Sequence, residues 1–190
     1  MEIYLDNSST TKVCLPAAEK VMECMTVVYG NPSSLHTMGF AAEKEMTKAR
    51  TVIAKQIGVK ENEIIFTSGG TEANNLAVFG AVEAKKRFGN KIVTTAIEHP
   101  SVLGCMEQLE KKGFEVIYLK PDMTGTVSPE QVMEAIDEST ILVSMMLVNN
   151  EAVSYTHLDV YKRQAISNAT GTTCNNNRFI SKLSHNIFSF

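Results

Sequence analysis

The central part of the chain alternates short apolar segments with amphipathic ones, and this alternation limits the folds open to it. The apolar segments are typical of buried strands and lie near residues 63–67, 91–96, 114–119 and 140–148. Helical spacing of apolar residues marks the intervening segments, 71–88, 100–112 and 128–137. Strands that alternate with helices predict an α/β fold whose mostly parallel sheet is covered by helices.

Two more helices are predicted before the first of these strands. Pro16 suits the first turn of a helix that runs to about Tyr29. A loop rich in turn residues follows at 30–34, and a long amphipathic helix spans about residues 37–57. Gly58 is placed to end that helix.

The composition is that of a soluble globular protein of one domain. The 190 residues include 44% hydrophobic and 21% charged ones, with a net charge of −3. This charge gives no basic surface for nucleic acid, and no apolar run is long enough to cross a membrane. The N-terminus lacks the features of a signal peptide, and the four cysteines form no CxxC pair or metal-binding pattern. We therefore expect a cytoplasmic protein with reduced thiols and no metal.

The segment Phe66-Thr67-Ser68-Gly69-Gly70-Thr71-Glu72-Ala73-Asn74-Asn75 is the most informative motif. A predicted strand ends there, two glycines turn the backbone, and a helix begins with hydroxyl residues. Free N–H groups and the helix dipole at such a start favour a phosphate. The motif lacks the lysine of a P-loop and the spacing of a dinucleotide-binding fingerprint. An ordinary capped helix start is the alternative explanation.

Two other polar motifs also follow predicted strands. His99 comes just after the second strand and could stack on a flat ring or move a proton, although a single histidine is often structural. Asn149 and Asn150 end the fourth strand and could donate to a ligand oxygen or simply form a turn. Because the carboxyl ends of parallel strands line one crevice, we expect Thr71, His99 and Asn150 to converge on a shared ligand.

Five motifs, in order and spacing, resemble those of the cysteine desulfurase family, which has the class-V aminotransferase fold. They are Tyr4-Leu5-Asp6-Asn7-Ser8-Ser9-Thr10-Thr11, Tyr29-Gly30-Asn31-Pro32-Ser33-Ser34-Leu35-His36, Phe66-Thr67-Ser68-Gly69-Gly70-Thr71-Glu72, Thr95-Ala96-Ile97-Glu98-His99 and Val148-Asn149-Asn150-Glu151. The resemblance is greatest to the branch that serves iron–sulfur cluster assembly. It covers about residues 2–151 and departs slightly at Ser8-Ser9, where the family usually has Ser-Ala or Ala-Ala.

The resemblance implies a pyridoxal-phosphate (PLP) enzyme of fold type I. Carried over by position, Gly70 and Thr71 would hold the PLP phosphate, His99 would stack on the pyridine ring and assist proton transfer, and Asn150 would donate to the phenolic oxygen. The family converts L-cysteine to L-alanine and leaves the sulfur as a persulfide on an enzyme cysteine. The implied partners are a sulfur acceptor or scaffold protein and, in the full-length enzyme, a second copy of the chain.

The family pattern stops after Glu151, so we divide the chain into an N-terminal arm segment (1–15), a partial PLP-binding large domain (16–151) and a tail (152–190). Residues 152–164 look like translated adapter sequence, and the tail is expected to be artefactual or disordered. Nothing in the chain matches the family's lysine that binds PLP, its aspartate at the pyridine nitrogen or its persulfide cysteine. The chain alone is therefore expected to be inactive.

Two alternatives to a desulfurase fragment stay open. The intact protein could be another class-V enzyme, such as a selenocysteine lyase or an aminotransferase, although the loop from Gly30 to His36 favours the desulfurase. The chain as given could also be a non-catalytic truncated product.

Overall fold

The structure is a computed structural model that describes residues 3–4, 10–146, 149 and the backbone of 185–189. The chain divides into two compact units, residues 1–66 and 67–190. The predicted Asn150 and most of the 152–190 tail lie outside the described residues. The boundary at 151/152 stays a prediction.

The first unit contains the two predicted N-terminal helices. Helix α1 spans Leu15–Thr26 with proline in its first turn, and α2 spans Thr37–Ile57. Gly58 ends α2 with a φ of 71°, a left-handed conformation that glycine adopts without steric cost. A short 3-10 turn follows at Glu61–Glu63. The predicted ends of α2 are thus confirmed, and α1 ends three residues earlier than predicted.

The helices of this unit bury few of their apolar side chains. None of the α1 residues is buried, and α2 buries only Gly39, Ala42 and Ala54. A groove of about 670 Å³ is lined by residues of both helices, including Cys24 and Ile53. The apolar stripes that predicted these helices therefore remain largely exposed within the described part of this unit.

The strand predicted at 63–67 is wrong. Glu63 belongs to the 3-10 turn, and residues 64–67 pair with no strand in the described part of the chain. The carbonyl of Ile64 instead accepts a hydrogen bond from the Arg50 guanidinium, which lies 4.8 Å from the centre of the Phe66 ring. Ile65 is 60% exposed. The segment has strand-like residues, but without a neighbouring strand it forms no ladder.

The second unit is built around a sheet with helices between its strands. Its elements in chain order are α3 (Gly70–Lys85), β1 (Lys91–Thr95), α4 (Pro100–Lys111), β2 (Glu115–Leu119), α5 (Pro129–Ala135), β3 (Thr140–Met146) and β4 (His185–Ser189). The strand order is β2-β1-β3-β4. The first three strands are parallel, which confirms the predicted α/β fold. Strand β4 lies in the predicted tail and pairs antiparallel with β3.

Helices pack on both faces of this sheet. Ile92 of β1 and Leu142 of β3 contact α3 and α4 on one face, together with Met106 of α4. On the other face, Val93 and Val143 belong to a cluster with Val132 of α5. Neighbouring residues of a strand thus point to opposite, equally buried faces. This explains why β3 is buried along its whole length and why its sequence is almost wholly apolar.

Local capping fixes the start of α5 as its sequence predicts. Ser128 accepts a hydrogen bond from the Gln131 amide at 3.2 Å, and the Gln131 side chain accepts one from the Ser128 amide at 2.8 Å. This reciprocal pair is a capping box. Among the described residues, no helix has both the length and the apolar character needed to cross a bilayer.

The core supports a matched pair of methionine substitutions. Met106→Ala empties a fully buried position in α4 and should lower the free energy of unfolding by about 2–5 kcal/mol. Met123→Ala removes the same atoms from a side chain that is fully exposed, and should change it by less than about 0.5 kcal/mol. Urea denaturation followed by circular dichroism measures both. Equal losses in the two variants would contradict the core described above.

Candidate functional site

The first turn of α3 offers hydrogen-bond donors to solvent. Gly69 precedes the helix and has no side chain to cap it. A Cβ atom added at Gly69 or Gly70 would meet nothing within 4 Å, so the space in front of the turn is open. Thr71 places an exposed hydroxyl in the same turn. Backbone N–H groups at a helix start, joined by a hydroxyl, form a suitable site for an anion.

The loop before α3 is held by Glu72. Its carboxylate accepts hydrogen bonds from both the amide and the hydroxyl of Ser68, each at 2.6 Å. Both bonds hold the pKa of Glu72 below its usual value, and the bond from the hydroxyl has the larger effect. The negative charge of Glu72 is thereby engaged with the preceding loop.

His99 lies at the N-cap of α4, directly after the turn that follows β1. Its Nδ1 atom accepts a hydrogen bond from the Ser101 amide at 3.1 Å, and the Ser101 hydroxyl oxygen lies 2.7 Å from the same atom. The imidazole thus satisfies a donor of the first turn of α4, as N-cap side chains commonly do. The ring is exposed, so it remains accessible to a ligand.

A side-chain contact joins the starts of α3 and α4. The Asn74 amide nitrogen donates to the Ser101 hydroxyl at 2.9 Å. Asn74 lies one helical turn after Gly70, and Ser101 contacts His99. The structure therefore brings the helix start that carries Gly70 and Thr71 next to the helix start that carries His99. Their ligand-binding roles stay predictions.

The turn after β1 is fastened to the end of β3 by two further side chains. Glu98 Oε1 accepts hydrogen bonds from the Thr95 hydroxyl and from the backbone amide of Met146, both at 2.7 Å. The Asn149 side-chain nitrogen donates to the carbonyl of Ile97 at 2.8 Å. Asn149 thus uses this donor within the protein, whereas the sequence suggested that it could serve a ligand.

Glu98 is an ionisable group in the protein interior. Its side chain lies beneath the turn with 4% of the residue exposed. Burial raises the pKa of Glu98 to about 7, while the bonds from Thr95 and Met146 act in the opposite direction. Desolvation of the charged carboxylate is therefore the larger effect.

The residues at these two helix starts fit a ligand that combines a phosphate with a planar ring. The α3 turn supplies amide donors, a hydroxyl and open space, which suit a phosphate. The exposed His99 imidazole supplies a flat surface and a polar nitrogen. Asn150, the remaining predicted contact, lies outside the described residues.

Sequence reasoning missed three residues that shape this site, Asn74, Ser101 and Glu98, and it considered Asn149 as a ligand donor, whereas Asn149 bonds to Ile97. Two of the three missed residues left a local sign. Ser101 stands two residues after a histidine at a predicted helix start, which is the spacing of an N-cap contact. Asn74 follows Gly70 by one helical turn. The contacts of Glu98 with Met146 and of Asn149 with Ile97 join residues far apart in sequence, and no local pattern marks them.

Comparison with known proteins relates the chain to one enzyme family. Residues 3–164 match the family described as Aminotransferase class-V. A cysteine desulfurase IscS of Pectobacterium atrosepticum is 46% identical over 154 residues, which are 80% of this chain and 38% of that protein.

Solved structures agree with this relation. A NifS-like protein superposes with a TM-score of 0.75 at 41% identity, covering 79% of this chain and 41% of that one. The structure of SspA in complex with cysteine gives a TM-score of 0.77 at 32% identity, covering 85% and 47%. The chain thus spans about two fifths of the length of the curated relatives that it matches.

The buried carboxyl of Glu98 should make stability depend on pH. Because its pKa rises on folding from 4.5 to about 7, the folded state holds the proton more tightly, and stability falls as pH rises between these values. Glu98→Gln keeps an oxygen acceptor for Thr95 and Met146 but cannot ionise. The free energy of unfolding of the variant, relative to that of the parent chain, should therefore rise by up to roughly 3 kcal/mol between pH 4.5 and pH 8.

Urea denaturation of the parent and variant at a series of pH values measures this difference. Glu134→Gln, at an exposed position on α5, is the matched control for the substitution itself. A difference between parent and Glu98→Gln that stays constant with pH would contradict the assignment of a buried, titrating Glu98.

Proposed function

This chain belongs to the class-V aminotransferase family, and from that membership we propose that it is the N-terminal, cofactor-binding part of a PLP-dependent cysteine desulfurase. The reaction would convert L-cysteine to L-alanine and leave the sulfur on a cysteine of the whole enzyme. Relatives named cysteine desulfurase support the substrate class. The similar structure of SspA, which is a complex with cysteine, supports it as well.

The observation that carries this proposal is the hydrogen bond from Asn74 to Ser101, which sets the donor-rich start of α3 beside His99. In the proposed site, the amides of Gly70 and Thr71 and the Thr71 hydroxyl would bind the PLP phosphate. The His99 ring would stack on the pyridine ring, and Asn150 would donate to the phenolic oxygen. Bound PLP would supply an electron sink for the substrate's α-carbon.

The protein's own contribution is to orient the bound groups. The open turn of α3 would fix one end of the cofactor through short hydrogen bonds to an anion, which are stronger than neutral ones. His99 would exclude water from one side of the ring and hold or move a proton at Nε2, because its Nδ1 is engaged with Ser101. Glu98 and Asn149 would keep the turn that carries His99 in place on the sheet edge.

Cys105 is not a suitable sulfur-accepting nucleophile. Cys105 is 1% exposed in the core between α3 and α4. Burial raises the pKa of its thiol, which makes the reactive thiolate less available. The nucleophile, the PLP-binding lysine and the aspartate at the pyridine nitrogen would all come from the second part of the enzyme.

The proposal also covers the location, the oligomeric state and the partners of the whole protein. We infer a cytoplasmic homodimer that passes sulfur to an acceptor or scaffold protein for iron–sulfur cluster assembly. The resemblance of the five motifs to that branch of the family supports this assignment, as do relatives named IscS.

An activity assay on two chains tests the proposal. Residues 1–151 joined to the matching second part of the Pectobacterium atrosepticum relative should release alanine and sulfide from cysteine in the presence of PLP and a reductant. The 190-residue chain should show no turnover above free PLP, because it lacks the three groups named above. Turnover by the 190-residue chain, abolished by His99→Ala, would contradict the assignment of the missing groups.

The same joined chain tests the phosphate contact. Thr71→Val removes the hydroxyl and should raise the PLP concentration needed for half-maximal activity about tenfold, the effect of one lost hydrogen bond to a charged group. Thr47→Val is the matched control, since its exposed hydroxyl donates to Glu43 on the surface of α2. A joined chain that folds but shows no desulfurase activity would count against the proposed function. Equal effects of Thr71→Val and Thr47→Val would count against the proposed phosphate contact.

A further inference from the structure

The Nδ1 atom of His99 lies within hydrogen-bond distance of two groups of one residue, Ser101. The Ser101 amide lies 3.1 Å away and can only donate, so Nδ1 must be an acceptor. A hydrogen on Nδ1 would point at this N–H and repel it. In the neutral ring the hydrogen therefore sits on Nε2.

The Ser101 hydroxyl strengthens this arrangement, because its polarity is set from the other side. Its oxygen lies 2.7 Å from His99 Nδ1 and accepts a hydrogen bond from the Asn74 side-chain nitrogen at 2.9 Å. With one lone pair occupied by Asn74 and an acceptor at Nδ1, the hydroxyl directs its own hydrogen to the imidazole. Asn74, Ser101 and His99 thus form a chain of hydrogen bonds that all point the same way.

We propose that Asn74 and Ser101 are positioning residues that hold His99 in the tautomer with hydrogen on Nε2. If the proposed function holds, on which this consequence rests, His99 meets the cofactor or substrate as a hydrogen-bond donor through Nε2. A proton on Nδ1 of His99 would require Ser101 to turn its hydroxyl away and would still face the Ser101 backbone N–H. The direction of the hydrogen bonds, rather than packing alone, would then determine what His99 can do.

Nitrogen NMR of the histidine ring tests the tautomer without any ligand. In alkaline buffer, where imidazoles are neutral, the parent chain should show Nε2 protonated and Nδ1 unprotonated, and loss of the signals in His99→Gln assigns them. Ser101→Ala removes one of the two donors to Nδ1. It should raise the share of the Nδ1-protonated tautomer about fivefold, the effect of one neutral hydrogen bond.

Reversing the direction of the hydrogen bond between residue 74 and Ser101 distinguishes a positioning role from a packing role. The carboxylate introduced by Asn74→Asp can only accept, so it should draw the Ser101 hydrogen away from His99 and shift the tautomer further than Asn74→Ala does. Ser101→Thr keeps a hydroxyl, so this variant should show the same ratio of the two tautomers as the parent chain. Asn75→Asp places the same charge on the next residue, whose side chain bonds to the Thr71 carbonyl, and is the control for charge alone.

Two results would overturn the proposal. One is a parent chain with hydrogen on Nδ1. The other is an unchanged tautomer ratio in Ser101→Ala and Asn74→Asp, with circular dichroism showing that both variants fold. Because no cofactor takes part, failure of this proposal is distinguishable from failure of the proposed function, which would leave the tautomer intact and abolish only activity and cofactor binding.

Discussion

Parallel pairing of β1 with β3 is the constraint on which the rest of the second unit depends. Because the strands run in the same direction, their carboxyl ends meet at one edge of the sheet, and the turn at residues 96–99 lies beside the end of β3. Glu98 and Asn149 then bond across this edge to backbone groups of the neighbouring segment. His99 emerges from a turn that is fixed at both sides.

Holding the turn before His99 with a buried carboxyl group has an energetic cost. A carboxyl group in the interior is unfavourable when charged, and burial of Glu98 raises its pKa to about 7. A buried Gln would make similar hydrogen bonds without that cost. The turn before His99 is therefore held by a group whose charge depends on pH, and perturbed pKa values of this kind cluster at functional sites.

Local sequence patterns predict most of the fold and part of the site. Helix α2 lies at Thr37–Ile57 as its sequence predicts, because its apolar spacing and Gly58 act within the segment itself. The strand prediction at 63–67 fails, since a strand also needs a partner that its own sequence cannot specify. Thr71 and His99 can be picked out because they follow predicted elements. The bond between Asn74 and Ser101 depends on how α3 and α4 pack, and only the folded chain shows it.

We propose that the starts of α3 and α4 form one site for the phosphate and ring of PLP. NMR titration of the labelled 190-residue chain with pyridoxamine 5′-phosphate, which has no aldehyde to react with lysines, tests it directly. We expect the Gly70 and Thr71 amides and the His99 ring to shift together with a single dissociation constant. We also expect pyridoxamine without the phosphate to bind at least about tenfold more weakly. Shifts at His99 without shifts at Gly70 and Thr71, or equal affinities for the two compounds, would contradict the claim.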